Sequence, residues 1–160
     1  MTRNLLAPCN AARRRRFTVR LVVLLVLAGW SFASGVGADS TPAFRVVVNT
    51  ANPIGGANDE LLTDLFLKRK AEWPHGESAR PVDLKADSPT RREFCKSILH
   101  RSVAAVKNYW QQMIFSGRGV PPPELESDEA VIEYVTRHRG AVGYVSGGAA
   151  IDRVKAIAIY

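Results

Sequence analysis

Residues 44–56 read FRVVVNTANPIGG, a run of mostly β-branched apolar side chains that ends abruptly in Asn-Pro and Gly-Gly. A run without polar alternation suits a strand covered on both faces, and the turn residues behind it stop the strand. The next segment reads as a helix. Asn58 is placed to cap it, Asp59 and Glu60 complement its positive end, and Leu61/Leu65 with Leu62/Phe66 form the inward stripe. Lys68-Arg69-Lys70 supplies cations suited to the helix C-terminus, and Trp73-Pro74-His75-Gly76 is a turn. Arg80 to Leu84 (RPVDL) reads as a second short strand. Ser88-Pro89 then marks a helix start, with serine at the cap and proline at the first helical position, and this helix runs to about Leu99. Ser102 caps a third helix whose Val103, Val106, Trp110, Met113 and Ile114 recur on one face. After the proline-rich loop from Gly117 to Pro123, Ser127 with Asp128 and Glu129 opens a fourth helix to about His138, ended by Gly140. Ala141 to Val145 (AVGYV) and Val154 to Ile159 (VKAIAI) close the chain as strands. Strands and helices therefore alternate, and the expected class is a layered α/β fold.

Upstream of this domain the composition changes. Arg13 to Arg16 and Arg20 form a basic stretch, Leu21 to Ala28 an apolar one extended through Trp30 and Phe32, and Val36-Gly37-Ala38 a small-residue end. Residues 1–38 are accordingly expected to be a signal peptide cleaved before Asp39, leaving a single domain over residues 39–160 that is periplasmic or secreted. The alternative, an uncleaved membrane anchor, has against it that Ser31, Ser34, Gly35 and Gly37 break the apolar run where an anchor would continue. Arg14-Arg15-Arg16-Phe17 fits both a twin-arginine signal and a general basic leader. No stable membrane insertion is expected after cleavage.

The leader also reorders the charge argument. The whole chain has 22 Lys and Arg against 15 Asp and Glu, but six of the basic residues and none of the acidic ones precede Asp39. The remaining domain is close to neutral, so nucleic acid is not an expected partner. Cys9 leaves with the leader, and Cys95 then has no intramolecular disulfide partner. Cys95 shares helical spacing with Phe94, Ile98 and Leu99, which suits a buried small hydrophobe better than a reactive thiol.

No catalytic constellation is visible, and the chain reads as a non-enzyme without a cofactor. His75 sits in a turn, while His100 and His138 lie at helix ends; no pair of histidines or carboxylates has metal-ligand spacing. Asp59, Glu60 and Asp64 read as a solvated helix start. The one place with a binding mechanism is the helix opening at Ser88. First-turn N–H groups lack intrahelical partners, the helix end is positive, Ser88 and Thr90 add hydroxyls, and Arg91 adds a guanidinium. These groups suit a phosphate or sulfate. An ordinary N-cap at Ser88, with Thr90 and Arg91 exposed, fits the same spacing, and Pro89 removes one donor that an anion would use.

The stretches FRVVVNTANPI, DELLTDLFLKRKAEWPHG, PVDLKADSPTRREF, YWQQMIFSGRGVPPP and GAVGYV, in this order, cover nearly all of residues 39–160. Together they resemble the phosphate-binding proteins of bacterial phosphate ABC transporters, within the type II periplasmic binding protein fold, and especially short single-lobe homologues of them. The resemblance implies a mixed sheet flanked by helices, forming one lobe. In such proteins a Ser-Gly-Thr turn opening a helix of the second lobe grips the anion, and Ser88-Pro89-Thr90 falls at that place. It thus implies Ser88 and Thr90 as phosphate ligands with Arg91 as neighbour, and a transporter or second-lobe protein as possible partner. Two positions depart from the pattern: Pro89 replaces the glycine, and Leu84, beside Lys85, stands where an arginine often precedes the turn. Because one lobe leaves an anion in contact with water, the resemblance implies modest affinity. A second expectation from the same residues is an envelope interaction module that keeps the fold without the ligand.

Overall fold

The structure, a computed structural model, describes residues 42–160. The leader expected over residues 1–38, Cys9 included, lies outside the described residues. Among the described residues no helix is long and apolar enough to cross a membrane.

The apolar run forms β1 (Phe44–Val48), and GAVGYV forms β6 (Ala141–Ser146). These two pair antiparallel in register from Phe44 opposite Ser146 to Val48 opposite Val142. They are the inner strands of a four-stranded sheet of order β3-β6-β1-β7. β3 (Arg80–Pro81) joins β6 in parallel, while β7 (Lys155–Ala156) joins β1 antiparallel. The sheet is mixed. Two further pairs lie outside it, both parallel: β2 (Gly56–Ala57) with β8 (Ala158–Ile159), and β4 (Asp83–Leu84) with β5 (Glu124–Leu125).

The four helices among the described residues begin at the residues expected to cap them. Asn58, Ser88, Ser102 and Ser127 each accept, through the side chain, the backbone N–H three residues on, which satisfies one of the orphan donors of α1 (Asp59–Phe66), α2 (Pro89–Ser97), α3 (Val103–Phe115) and α4 (Asp128–Arg137). At the end of α1, Asp64 pairs with Lys70 at 3.0 Å and Arg69 at 3.7 Å, so two of the three expected terminal cations are held there.

Helices cover both faces of the sheet, as the uninterrupted apolar strands require. On one face, Phe94 of α2 stacks on Tyr144 of β6 with ring centroids 3.9 Å apart, and Phe66 of α1 lies 5.8 Å from the same ring. On the other, Val131 and Val135 of α4 press on β6 at Gly143. A Cβ on Gly143 would fall 2.6 Å from Val131 Cγ1 and 3.0 Å from Val82 Cγ2, so strand and helix approach more closely than any side chain allows.

Three expectations are corrected. RPVDL is not one strand: β3 joins the main sheet and β4 leaves it for β5, with buried Val82 between them. VKAIAI divides in the same way at Ile157, whose N–H bonds Val46 while Ala158 and Ile159 pair with β2. The apolar face of α3 stops short, since Val106 and Trp110 are buried but Ile114 is 49% and Phe115 90% exposed. In the last turn Met113 still packs against the core, while Ile114 and Phe115 turn outward. Cys95 meets its expectation of full burial, and that burial, with the charge of Asp83 nearby, pushes its thiol up to about 11.

Candidate functional site

The opening of α2 is a tight turn. The Ser88 N–H donates to Lys85 O at 3.0 Å, the Ser88 Oγ accepts from the Arg91 N–H at 3.4 Å, and Ser88 O accepts from the Arg92 N–H at 3.2 Å. Ser88 is half-buried with its hydroxyl proton free of any bond within the described residues, and Pro89 is exposed. Thr90 is 8% exposed, behind the turn. Lys85 is close to this turn in the chain and is loosely opposed by Asp87 at 3.9 Å and Glu126 at 3.7 Å.

Arg91 does not stand exposed beside Thr90. It is 4% exposed and its guanidinium is turned inward. Nη2 lies 3.0 Å from Asp83 Oδ2, while Nη1 lies 2.7 Å from Glu124 Oε1 and donates to Leu84 O at 2.5 Å. The reason is visible in the sheet register: Asp83 and Glu124 are direct partners across β4 and β5, two carboxylates side by side that would repel each other without a cation between them. The phenol of Tyr144 donates to the other Asp83 oxygen and accepts from the Leu84 N–H at 3.4 Å. Arg91 thus ties the first turn of α2 to β4 and β5, and through Asp83 to Tyr144 of β6. Only its Nε is buried without a partner.

The electrostatics follow from burial. Burial pushes the Asp83 carboxyl above the usual range, and the proximity of Glu124 adds to this while Arg91 and Tyr144 oppose it. Burial acts against the charge on Arg91, yet Asp83 and Glu124 hold its pKa above the ordinary value, so the guanidinium stays charged. Burial, with the Asp83 charge beside it, also raises Tyr144, which therefore remains a hydrogen-bond donor.

The structure thus brings Ser88, Thr90 and Arg91 to one turn and gives them different surroundings: Ser88 at the mouth, Thr90 behind it and Arg91 beneath it. Asp83, Glu124 and Tyr144 were not singled out in the sequence. Asp83 and Arg91 stand eight residues apart with a turn between them, and no local spacing announces the pair. Among the described residues no group of three or more His, Cys, Asp and Glu is arranged to hold a metal ion.

This fold, a mixed sheet covered by helices with a capped helix at its edge, is similar to part of the fold of solved phosphate ABC transporter receptors. An ABC-type phosphate transport receptor from Vibrio cholerae matches with a TM-score of 0.59 and 22% identity over 73% of this chain and 46% of its own. A chain from Clostridium perfringens, assigned as a phosphate ABC transporter substrate-binding protein and crystallised with bound phosphate, matches at 0.58 and 15% identity over 73% and 44%. PstS from Borrelia burgdorferi matches at 0.55 and 11% over 73% and 47%. The chain therefore spans less than half the length of the solved structures it matches. No family model and no curated protein matches the sequence.

Proposed function

We propose that this chain is an exported, non-enzymatic receptor-like lobe that recognises a tetrahedral oxyanion, phosphate foremost, at the start of α2. In this reading the Ser88 hydroxyl and the first-turn N–H of Thr90 touch the anion, the buried Thr90 side chain backs the turn, and Lys85 adds charge at the mouth. Arg91 acts as a positioning residue that fixes the turn from beneath. The observation that carries the reading is the geometry of Ser88: its Oγ is engaged only as an acceptor, which leaves its proton to donate, at a helix opening on the fold of phosphate receptors. A transporter component or a second-lobe protein would complete the site.

A second reading is favoured by a specific observation. The charge of Arg91 is already met by Asp83 and Glu124, so this guanidinium is not left over for an anion. On that reading the lobe is an envelope interaction module without a small ligand. Calorimetric titration of the purified protein with phosphate and with sulfate separates the two. Heat that saturates and disappears in Ser88→Ala supports the oxyanion site, whereas no heat with either anion, alone or beside a partner lobe, leaves the interaction module.

A further inference from the structure

A groove of about 710 Å³ runs between the exposed face of α2 and the start of α3. Arg92 and Lys96, four residues apart on α2, form one wall, and His100 with Arg101 in the connecting loop forms the end. Val103 and Ala104, in the first turn of α3, give it an apolar floor. Among the described residues, Arg92, Lys96 and Arg101 have no carboxylate within 4.0 Å, although Arg92 Nη1 donates to Asp87 O at 2.9 Å, while His100 faces Asp59 at 3.7 Å. The Arg101 guanidinium rests over the Tyr109 ring at 5.9 Å, and the first turn of α3 contains no acidic residue to offset its positive end. Three uncompensated cations around one concavity are notable in a domain that is otherwise close to neutral.

We propose that this groove docks an acidic polypeptide segment of a partner protein, its carboxylates on Arg92, Lys96 and Arg101 and an apolar side chain on Val103 and Ala104. The proposal does not depend on oxyanion binding at Ser88. Charge complementarity identifies the occupant's sign, and shape identifies its class. A bilayer surface would need cations and inserting apolar side chains on one flat or convex face. Here the cations line a concavity, and the most exposed aromatic, Phe115, lies twelve residues further along α3, about 18 Å from Val103. An extended acidic segment matches the sign of these cations and offers an apolar side chain to Val103 and Ala104.

The test uses the purified protein and fluorescein-labelled twelve-residue peptides of graded Glu and Asp content around a central leucine, each with a Gln/Asn counterpart. Anisotropy titrations should show acidic members binding about tenfold more tightly than their neutral counterparts, with the difference shrinking as salt rises. The double variant Lys96→Glu with Arg101→Glu should lose that preference. Lys96→Gln with Arg101→Gln should weaken it, with an unchanged circular dichroism spectrum showing that the fold persists. The proposal is overturned if no acidic peptide outcompetes its neutral counterpart or if the charge-reversed protein binds as well as the parent. It is also overturned if Lys96 and Arg101 instead govern sedimentation with phosphatidylglycerol vesicles and no peptide preference exists.

Discussion

Arg91 is worth more to the fold than its place beside a candidate anion turn suggests. Removing one member of a buried ion network leaves the others unpaired, so Arg91→Ala exposes Asp83 and Glu124 to each other across β4 and β5 and should cost about 3 to 5 kcal/mol. Arg91→Lys should recover only part of this, because a single ammonium cannot serve Asp83, Glu124 and Leu84 O with the guanidinium's planar fork. Urea denaturation of the two variants measures both losses. The network also sets a pH dependence. With its pKa raised by burial, Asp83 binds its proton more tightly in the folded state than in the unfolded one, so its contribution is complete below the ordinary carboxylate range. That contribution is lost as pH rises from about 4 through the elevated value. Glu129, whose pKa is lowered by its own backbone N–H and by Ser127, acts in the opposite sense and loses its contribution as pH falls, weakly because it is exposed. Urea midpoints measured between acid and neutral pH should therefore fall with rising pH across the Asp83 window, and Asp83→Asn should flatten that slope.

At the level of elements, what could be read along the chain divides by locality. Helix starts were legible because a cap is a contact three residues long: Asn58, Ser88, Ser102 and Ser127 each found their expected N–H. Two-residue strands were not. β2 lies where Gly55-Gly56 signals a turn, β5 follows three prolines, and RPVDL carries no mark of the change of partner at Val82. Strand pairing is settled by residues tens of positions away, and so was the destination of Arg91, whose partner Glu124 stands 33 residues downstream. Gly143 makes the same point for packing. Its position in GAVGYV was legible, but the reason for it, the press of α4 onto β6, was not. A methyl there must displace Val131 Cγ1 and Val82 Cγ2 in a buried layer, so Gly143→Ala should destabilise by about 1 to 3 kcal/mol. Gly148, which has open space around it, should accept alanine with little change, and a comparison of the two melting temperatures tests the claim.

For the whole molecule, the decisive fact is that the chain spans under half of each phosphate receptor it matches. A receptor with two lobes can remove an anion from water; a single lobe offers it a few donors on an open surface. On the oxyanion reading, the Ser88 hydroxyl and the one first-turn N–H left without a partner, that of Thr90, each contribute about 1.5 kcal/mol to an ionised partner, and the carboxylates Asp87 and Glu126 near the mouth oppose it. The sum is at most about −3 kcal/mol, a dissociation constant on the order of 10 mM. Discrimination should be poor as well, because the groups available at the mouth are donors, and telling phosphate from sulfate needs a buried acceptor for the phosphate proton. Amide chemical-shift titration should then show small, saturable shifts confined to the segment from Lys85 to Arg92, similar for phosphate and sulfate, reduced by added salt and abolished by Ser88→Ala. The shifts should not depend on protein concentration. Micromolar affinity that strengthens with protein concentration would mean that a second copy supplies the missing face, and micromolar affinity without that dependence would overturn the open half-site altogether.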